Sequence, residues 1–200
     1  MARPRLHDDA LRTQLLEVTS QVISADGEGA VTVRKVAADA GTSASAVYAL
    51  FGSREALVEA VSDEGFRRFA EHLAAVGQSD DPAADLRELG LAYRKFALAD
   101  PHFYRVMFYR AVPPSDGGPA DGDSRSAIDR PTFRVLHDAV ARALDGAPPE
   151  QVLGAAVGLW GLVHGLVSLE LAGLLPGDES AREAAFVHAA RAVGPALLSH

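Results

Sequence analysis

Residues 32–65, TVRKVAADAGTSASAVYALFGSREALVEAVSDEG, read as a helix, a glycine turn, a short second helix and a capped third. Thr32 can cap the first, its hydroxyl oxygen accepting a backbone N–H that has no partner at a helix start. Val33, Val36, Ala37 and Ala40 then fall at helical spacing on one face. Gly41 follows at once. Glycine turns the chain through a left-handed conformation without steric penalty, so the pattern predicts that the helix stops there and a tight turn begins. Ser43 restarts helix as a cap. In the second helix Val47, Leu50 and Phe51 share an arc, with Ala44 nearby, while Ser45, Ala46 and Ala49 project the opposite way.

Two helices joined across such a turn are a helix-turn-helix, a unit that sets its second helix into the major groove of DNA. The outward side chains of the second helix are small. They allow close approach to a groove, with methyl contacts to thymine and hydroxyl hydrogen bonds, but none makes the bidentate pairings that discriminate bases best. Arg34, in the first turn of the preceding helix, is the guanidinium placed to read guanine, and Lys35 suits a phosphate.

The segment resembles the DNA-binding domain of the TetR family of bacterial transcription regulators. The resemblance rests on Thr32, Arg34 and Ala37, on the Ala40–Gly41 turn, on Tyr48 and Phe51, and on Ser53, Arg54, Glu55 and Leu57. It implies base or phosphate contact by Arg34, phosphate contact by Thr32, Ser43 and Tyr48, and a further phosphate contact where the family's lysine is replaced by Arg54. With Lys35, Thr42, Ser45, Ala46 and Ala49 these form the expected DNA-contacting set. Two positions depart from the family's pattern. Leu50 stands where an aromatic or histidine often touches the backbone, and leucine cannot donate a hydrogen bond. Arginine for lysine at 54 keeps charge but not geometry.

Composition fits a soluble, cytoplasmic protein, with 48% hydrophobic residues, enough for a packed core, and no cysteine for disulfides or thiolate-held zinc. The expected division is a DNA-binding domain over residues 1–55 and a ligand-binding and dimerisation domain over 56–200. The start, MARPRLHDD, lacks an apolar core segment and is not a secretory signal. Arg3 and Arg5 read either as a basic arm reaching DNA or as an ordinary chain end. The net charge of −8 opposes phosphate binding, but its distribution answers this. Residues 1–56 hold six cations against seven acids, so the rest of the chain carries about seven of the eight excess negative charges.

The whole chain reads as all-α, with about nine helices and no convincing strand alternation. Leu11, Leu15, Val18 and Val22 mark a first helix ending at Asp26 and Gly27; the helix after Ser53 runs to about Val76; others are expected at 83–99, from Pro101 through Phe108, and near 130–145, 149–174 and 179–198. Residues 112–128, rich in Pro, Gly, Asp and Ser, are expected to be a mobile loop.

Residues 152–169, VLGAAVGLWGLVHGLVSL, are almost wholly apolar, so a membrane span must be weighed. Interior His164, four glycines and the lack of flanking Lys or Arg argue against it, and no membrane partner is expected. A helix apolar all round is instead buried between a helical domain and its partner. Gly154, Gly158, Gly161 and Gly165, with Ala185, Ala189, Ala192 and Val193 of the last helix, are expected to build a two-fold four-helix homodimer interface, where the family also places its contacts.

Trp160, His164 and Gly165 resemble a Trp-x-x-x-His-Gly signature of one subset of the family's C-terminal domains. Trp160 and His164 lie one turn apart. They read either as a ligand-pocket wall with a hydrogen-bonding tip or as a packed tryptophan beside a histidine bonded to a backbone carbonyl. Phe66, Phe69, Tyr93, Phe96, Phe103, Tyr104, Met107 and Phe108 are likewise either core or pocket lining for an unidentified small-molecule effector.

Catalytic chemistry has little support. There is no Gly-x-Ser-x-Gly elbow and no phosphate loop, and the seven histidines lack metal-ligand spacing, so no catalytic residue, metal or cofactor is expected. The expectation is a homodimeric regulator, a repressor released from its double-stranded DNA operator by a small molecule. The rivals are a DNA binder that is ligand-independent or partner-regulated and, behind it, a helical enzyme or carrier.

Overall fold

The computed structural model describes residues 5–109 and 130–199, and among these the regular elements are all helical. They are α1 (Arg5–Asp26), a 3-10 turn (Glu28–Ala30), α2 (Val33–Asp39), α3 (Ala44–Phe51), α4 (Arg54–Ala74), α5 (Pro82–Ala99), α6 (Pro101–Tyr109), α7 (Pro131–Ala143), α8 (Pro149–Leu171) and α9 (Glu179–Leu197). The expected loop at 112–128 lies outside the described residues.

Helix ends follow local chemistry. After α2, Gly41 takes φ 63°, its N–H bonding Ala38 O at 3.1 Å while the Thr42 N–H bonds Ala37 O at 2.8 Å. This left-handed cap satisfies two carbonyls that the helix leaves open. The same device ends α8 at Leu171, short of the expected Leu174: Gly173 takes φ 70° and the Leu174 N–H turns back to Leu169 O at 3.0 Å. Asp81 and Asp178 cap α5 and α9, and α5, α7 and α8 carry proline in their first turn.

The described residues fall into two compact units, 5–68 with 102–109, and 69–101 with 130–199. The first unit continues along α4 past residue 55. Helices α2 and α3, of seven and eight residues, cannot close an apolar core between them. The first unit's core therefore adds Leu57, Val58 and Val61 of α4 and Phe103 and Val106 of α6, each 0% exposed, to Leu15, Leu16, Val36 and Val47. Burying side chains of this size contributes roughly 1.5–3 kcal/mol each before chain entropy is set against it. Polar side chains in this unit are tied locally. Arg68 of α4 reaches Glu17 of α1 at 2.7 Å and Glu64 at 2.8 Å, and its guanidinium lies 4.3 Å from the Phe103 ring centre. Hydrogen bonds from Arg67, opposed by partial burial and reinforced by Arg68, hold the Glu64 carboxyl at a pKa of about 2.

In the second unit α5, α7, α8 and α9 pack together. One core cluster joins Phe133 and Val140 of α7 to Val152, Ala155 and Ala156 of α8, with Trp160 and Leu159 against it. A second contact set is aromatic, with Phe69 stacked on Phe96 and edge-on to Tyr93 at centroid distances of 4.8 and 4.9 Å. Ionic ties cross the same unit. Arg142 of α7 holds Asp85 of α5 and the Ser79 carbonyl, and Arg94 of α5 lies between Glu170 of α8 and Glu183 of α9.

Candidate nucleic-acid interface and effector residues

The first unit carries the two helices expected to meet DNA. Thr32 is extended (φ −127°, ψ 143°) and its Oγ1 accepts from the Lys35 N–H at 3.1 Å; Ser43 Oγ accepts from the Ala46 N–H at 3.2 Å. These caps satisfy free N–H groups at the starts of α2 and α3. Val47, 1% exposed, roots α3 in the core, with Leu50 and Phe51 packed beside it. That packing accounts for the leucine at 50, whose side chain serves the core. On the other side Ser45 and Ala49 are exposed and Tyr48 is 53% exposed, while Thr42 and Ala46 are half-buried. Thr32, Arg34, Lys35 and Ser43 are exposed too.

The cations differ in their surroundings. Arg34 has no acidic partner among the described residues. Lys35 Nζ lies 2.9 Å from Asp26 Oδ2, and that hydrogen bond raises its pKa. Arg54 is turned into the fold: Nε donates to Val31 O at 2.8 Å and Nη2 to Glu28 O at 2.6 Å. Arg12, which sequence reasoning did not single out, sets its guanidinium 5.5 Å from the centre of the Phe51 ring behind α3. Arg3 lies outside the described residues, and Arg5 opens α1.

The expected effector residues separate between the units. Phe66, Phe103, Tyr104, Met107 and Phe108 belong to the first, where Phe103, Tyr104 and Met107 are at most 3% exposed and Phe66 lies edge-on to Phe108 at 6.0 Å. Phe69, Tyr93, Phe96, Trp160 and His164 belong to the second. There the Tyr93 hydroxyl and His164 Nδ1 lie 3.0 Å apart, linking α5 to α8. Neither sequence reading of His164 had named Tyr93 as its partner. Burial lowers the pKa of His164, favouring the neutral ring. The Trp160 ring centre lies 6.2 Å from that of His164 and 5.9 Å from that of Phe133.

On α8, a Cβ added at Gly154, Gly161 or Gly165 would meet open space, whereas at Gly158 it would sit 3.1 Å from Leu197 Cδ2 of the same chain. Gly158 thus serves close packing of α8 on α9. Leu153, Val157 and Leu169 on α8 and Val193 on α9 are 39–43% exposed; Ala185 and Ala192 are exposed and Ala189 is half-buried. By length and composition α8 could cross a membrane, and 22% of its most apolar stretch is buried within the chain.

Comparison with known proteins follows this geometry. Residues 15–61 match the family model for bacterial regulatory proteins of the tetR family, and residues 86–193 match that for the tetracyclin repressor-like C-terminal domain. The chain is similar to the crystal structure of a bacterial regulatory protein in the tetR family from Rhodococcus RHA1, at 25% identity and a TM-score of 0.65, covering 94% of this chain and 95% of that one. It shares its fold with a TetR family transcription regulator from Marinobacter aquaeolei VT8, at 20% identity and a TM-score of 0.72, covering 94% of this chain and 98% of that one. The same holds for a TetR-like transcriptional regulator from Rhodococcus sp. RHA1, at 20% identity and a TM-score of 0.69, covering 98% and 96%. No curated protein matches the sequence.

Proposed function

The chain belongs to the TetR family of transcription regulators, and from that premise we propose that it acts as a homodimeric repressor released from a DNA operator by a small molecule. The observation that carries this reading is the first unit's exposed face. Two capped helices meet at a left-handed glycine, rooted by Val47, and turn Arg34, Ser43, Ser45, Tyr48 and Ala49 outward. Arg34 reads a base edge or phosphate; Thr32, Ser43 and Tyr48 take phosphates, with Lys35 beside them and Thr42 and Ala46 at the rim. Reading is assigned to residues 1–55, sensing and pairing to the remainder.

Pairing is supported by α8. A helix whose most apolar stretch is only 22% buried needs a cover, and Glu170 within it is tied to Arg94 of α5, which favours a protein partner over lipid. A second copy covers the open glycines 154, 161 and 165 with its own small residues, among them Ala185, Ala189, Ala192 and Val193.

Sensing is assigned to the aromatic residues of the second unit, with the Tyr93–His164 bond as its polar element, and Trp160, His164 and Gly165 support assigning the chain to the subset with that signature. A ligand acts by preferring a dimer whose two α3 helices no longer stand about one DNA turn apart, roughly 34–36 Å. No enzymatic activity enters this reading, and the chain works in the cytoplasm. Genomic fragments retained by the purified protein and then sequenced supply the test: recovery of a two-fold symmetric sequence supports the reading, and recovery of random fragments overturns it.

A further inference from the structure

The geometry points to Arg54 as a positioning residue that sets the presentation of α2 to DNA, not as a phosphate contact; the inference rests on the DNA-binding reading above. Arg54 opens α4. Its Nε and Nη2 grip two main-chain oxygens far back in sequence, Val31 O at 2.8 Å and Glu28 O at 2.6 Å. That edge of the guanidinium is the one a phosphate would take side-on, and it is occupied. The third nitrogen, Nη1, lies 3.4 Å from Glu55 Oε1, a carboxylate that disfavours a second anion.

The two carbonyls are not incidental. Glu28 O also accepts the Val31 N–H at 3.1 Å, closing the 3-10 turn, and Val31 is 1% exposed. Val31 O immediately precedes Thr32, whose Oγ1 caps α2 and whose helix carries Arg34 in its first turn. Arg54 therefore ties the start of α4 to the entry of α2, and through that entry fixes the direction of Arg34 and Thr32. Only a planar fork bridges two carbonyls in this way. A lysine ammonium is a compact point charge on one nitrogen and cannot reproduce this planar two-nitrogen grip.

The test compares wild type, Arg54→Lys and Arg54→Gln on a fluorescein-labelled duplex selected from a random pool by the wild-type protein, across a range of NaCl concentrations. Hydrogen exchange is followed at the amides of residues 28–36, and urea midpoints establish that each variant is folded. Arg54→Lys keeps the charge and is decisive. It is expected to weaken binding about tenfold, the scale of a lost charge-assisted bond, with the salt slope unchanged and faster exchange at 28–36. Binding of Arg54→Lys at wild-type strength with unchanged exchange overturns the inference. So does a slope in Arg54→Gln shallower by about 0.9 per lost phosphate contact with exchange unchanged. Should Arg54→Gln not fold, Arg54→Lys decides alone. If the wild type selects no duplex, the DNA-binding reading itself fails, and exchange at 28–36 then decides whether Arg54 orders the entry of α2.

Discussion

Arg94 of α5 and Glu170 of α8 meet fork to fork, with Nε–Oε2 and Nη2–Oε1 both at 2.8 Å and side chains 6% and 4% exposed. Nη1 continues to Glu183 Oε2 of α9 at 3.0 Å, and Arg182 Nε approaches Glu170 Oε1 at 3.4 Å. Three helices are thereby fixed in one register. Hydrogen bonding to Arg94 is the main reason that the Glu170 pKa is lowered. Taking Glu170 away strips the buried Arg94 of its fork partner and leaves it only the exposed Glu183, so Glu170→Ala is expected to lower unfolding free energy by about 3 kcal/mol, the low end for breaking a buried pair. Arg94→Met combined with Glu170→Leu should recover most of that loss, and urea unfolding of the single and double variants measures both.

Acid should destabilise the fold in two separate windows. His164 has a folded pKa below the usual 6.5, so the unfolded chain binds the proton first and stability falls as pH drops below 6.5. Glu64, at about 2 against the usual 4.5, contributes stability that is complete above 4.5 and lost as pH falls toward 2. Urea midpoints across pH should show His164→Gln flattening the upper window and Glu64→Gln the lower. Trp160, the single tryptophan, lies beside His164 and reports the upper transition by fluorescence.

Gly65 of α4 lies close against Met107 of α6. A Cβ there would lie 2.7 Å from Met107 Cγ and 2.9 Å from Sδ, and Met107 is 1% exposed. Overpacking costs roughly 1–3 kcal/mol, against about 1 kcal/mol gained by replacing glycine with alanine inside a helix. Gly65→Ala is therefore expected to lower the thermal midpoint; a rise would show that Met107 yields freely.

The dimer reading makes Val157 and Leu169 interfacial, although each is exposed in one chain, at 43% and 42%. A glutamate at either position buries an unpaired charge only in the pair. Val157→Glu and Leu169→Glu should sediment as folded monomers with unchanged helical circular dichroism, and retention of the dimer would move the interface elsewhere.

On DNA, Arg34→Ala should cost about 1–3 kcal/mol and relax preference at one base position. Tyr48→Phe should weaken all sequences alike, since its hydroxyl is assigned to a phosphate. Wild-type affinity should fall steeply with added salt. Binding assays on a selected duplex and its single-base variants separate these outcomes.

Short-range chemistry was legible from residue order. Thr32, Gly41 and Ser43 act on backbone groups within five residues, so their caps and turn followed from the order of residues, as did the spans of α4 to α9 to within a few positions. The buried stripe of α3 and the exposure of Ser45 and Ala49 followed from helical period, whereas Ala46, expected on the same side, is half-buried. Partners far apart in the chain were not legible. Tyr93 and His164 are 71 residues apart, Arg94 and Glu170 are 76, and Arg54 reaches back 23 and 26 residues to its carbonyls. No periodicity encodes which face of one helix meets which face of another. That choice belongs to packing, which drew α6 and the start of α4 into the first unit's core, set Gly158 against Leu197, and turned the Arg54 guanidinium back onto the Val31 and Glu28 carbonyls.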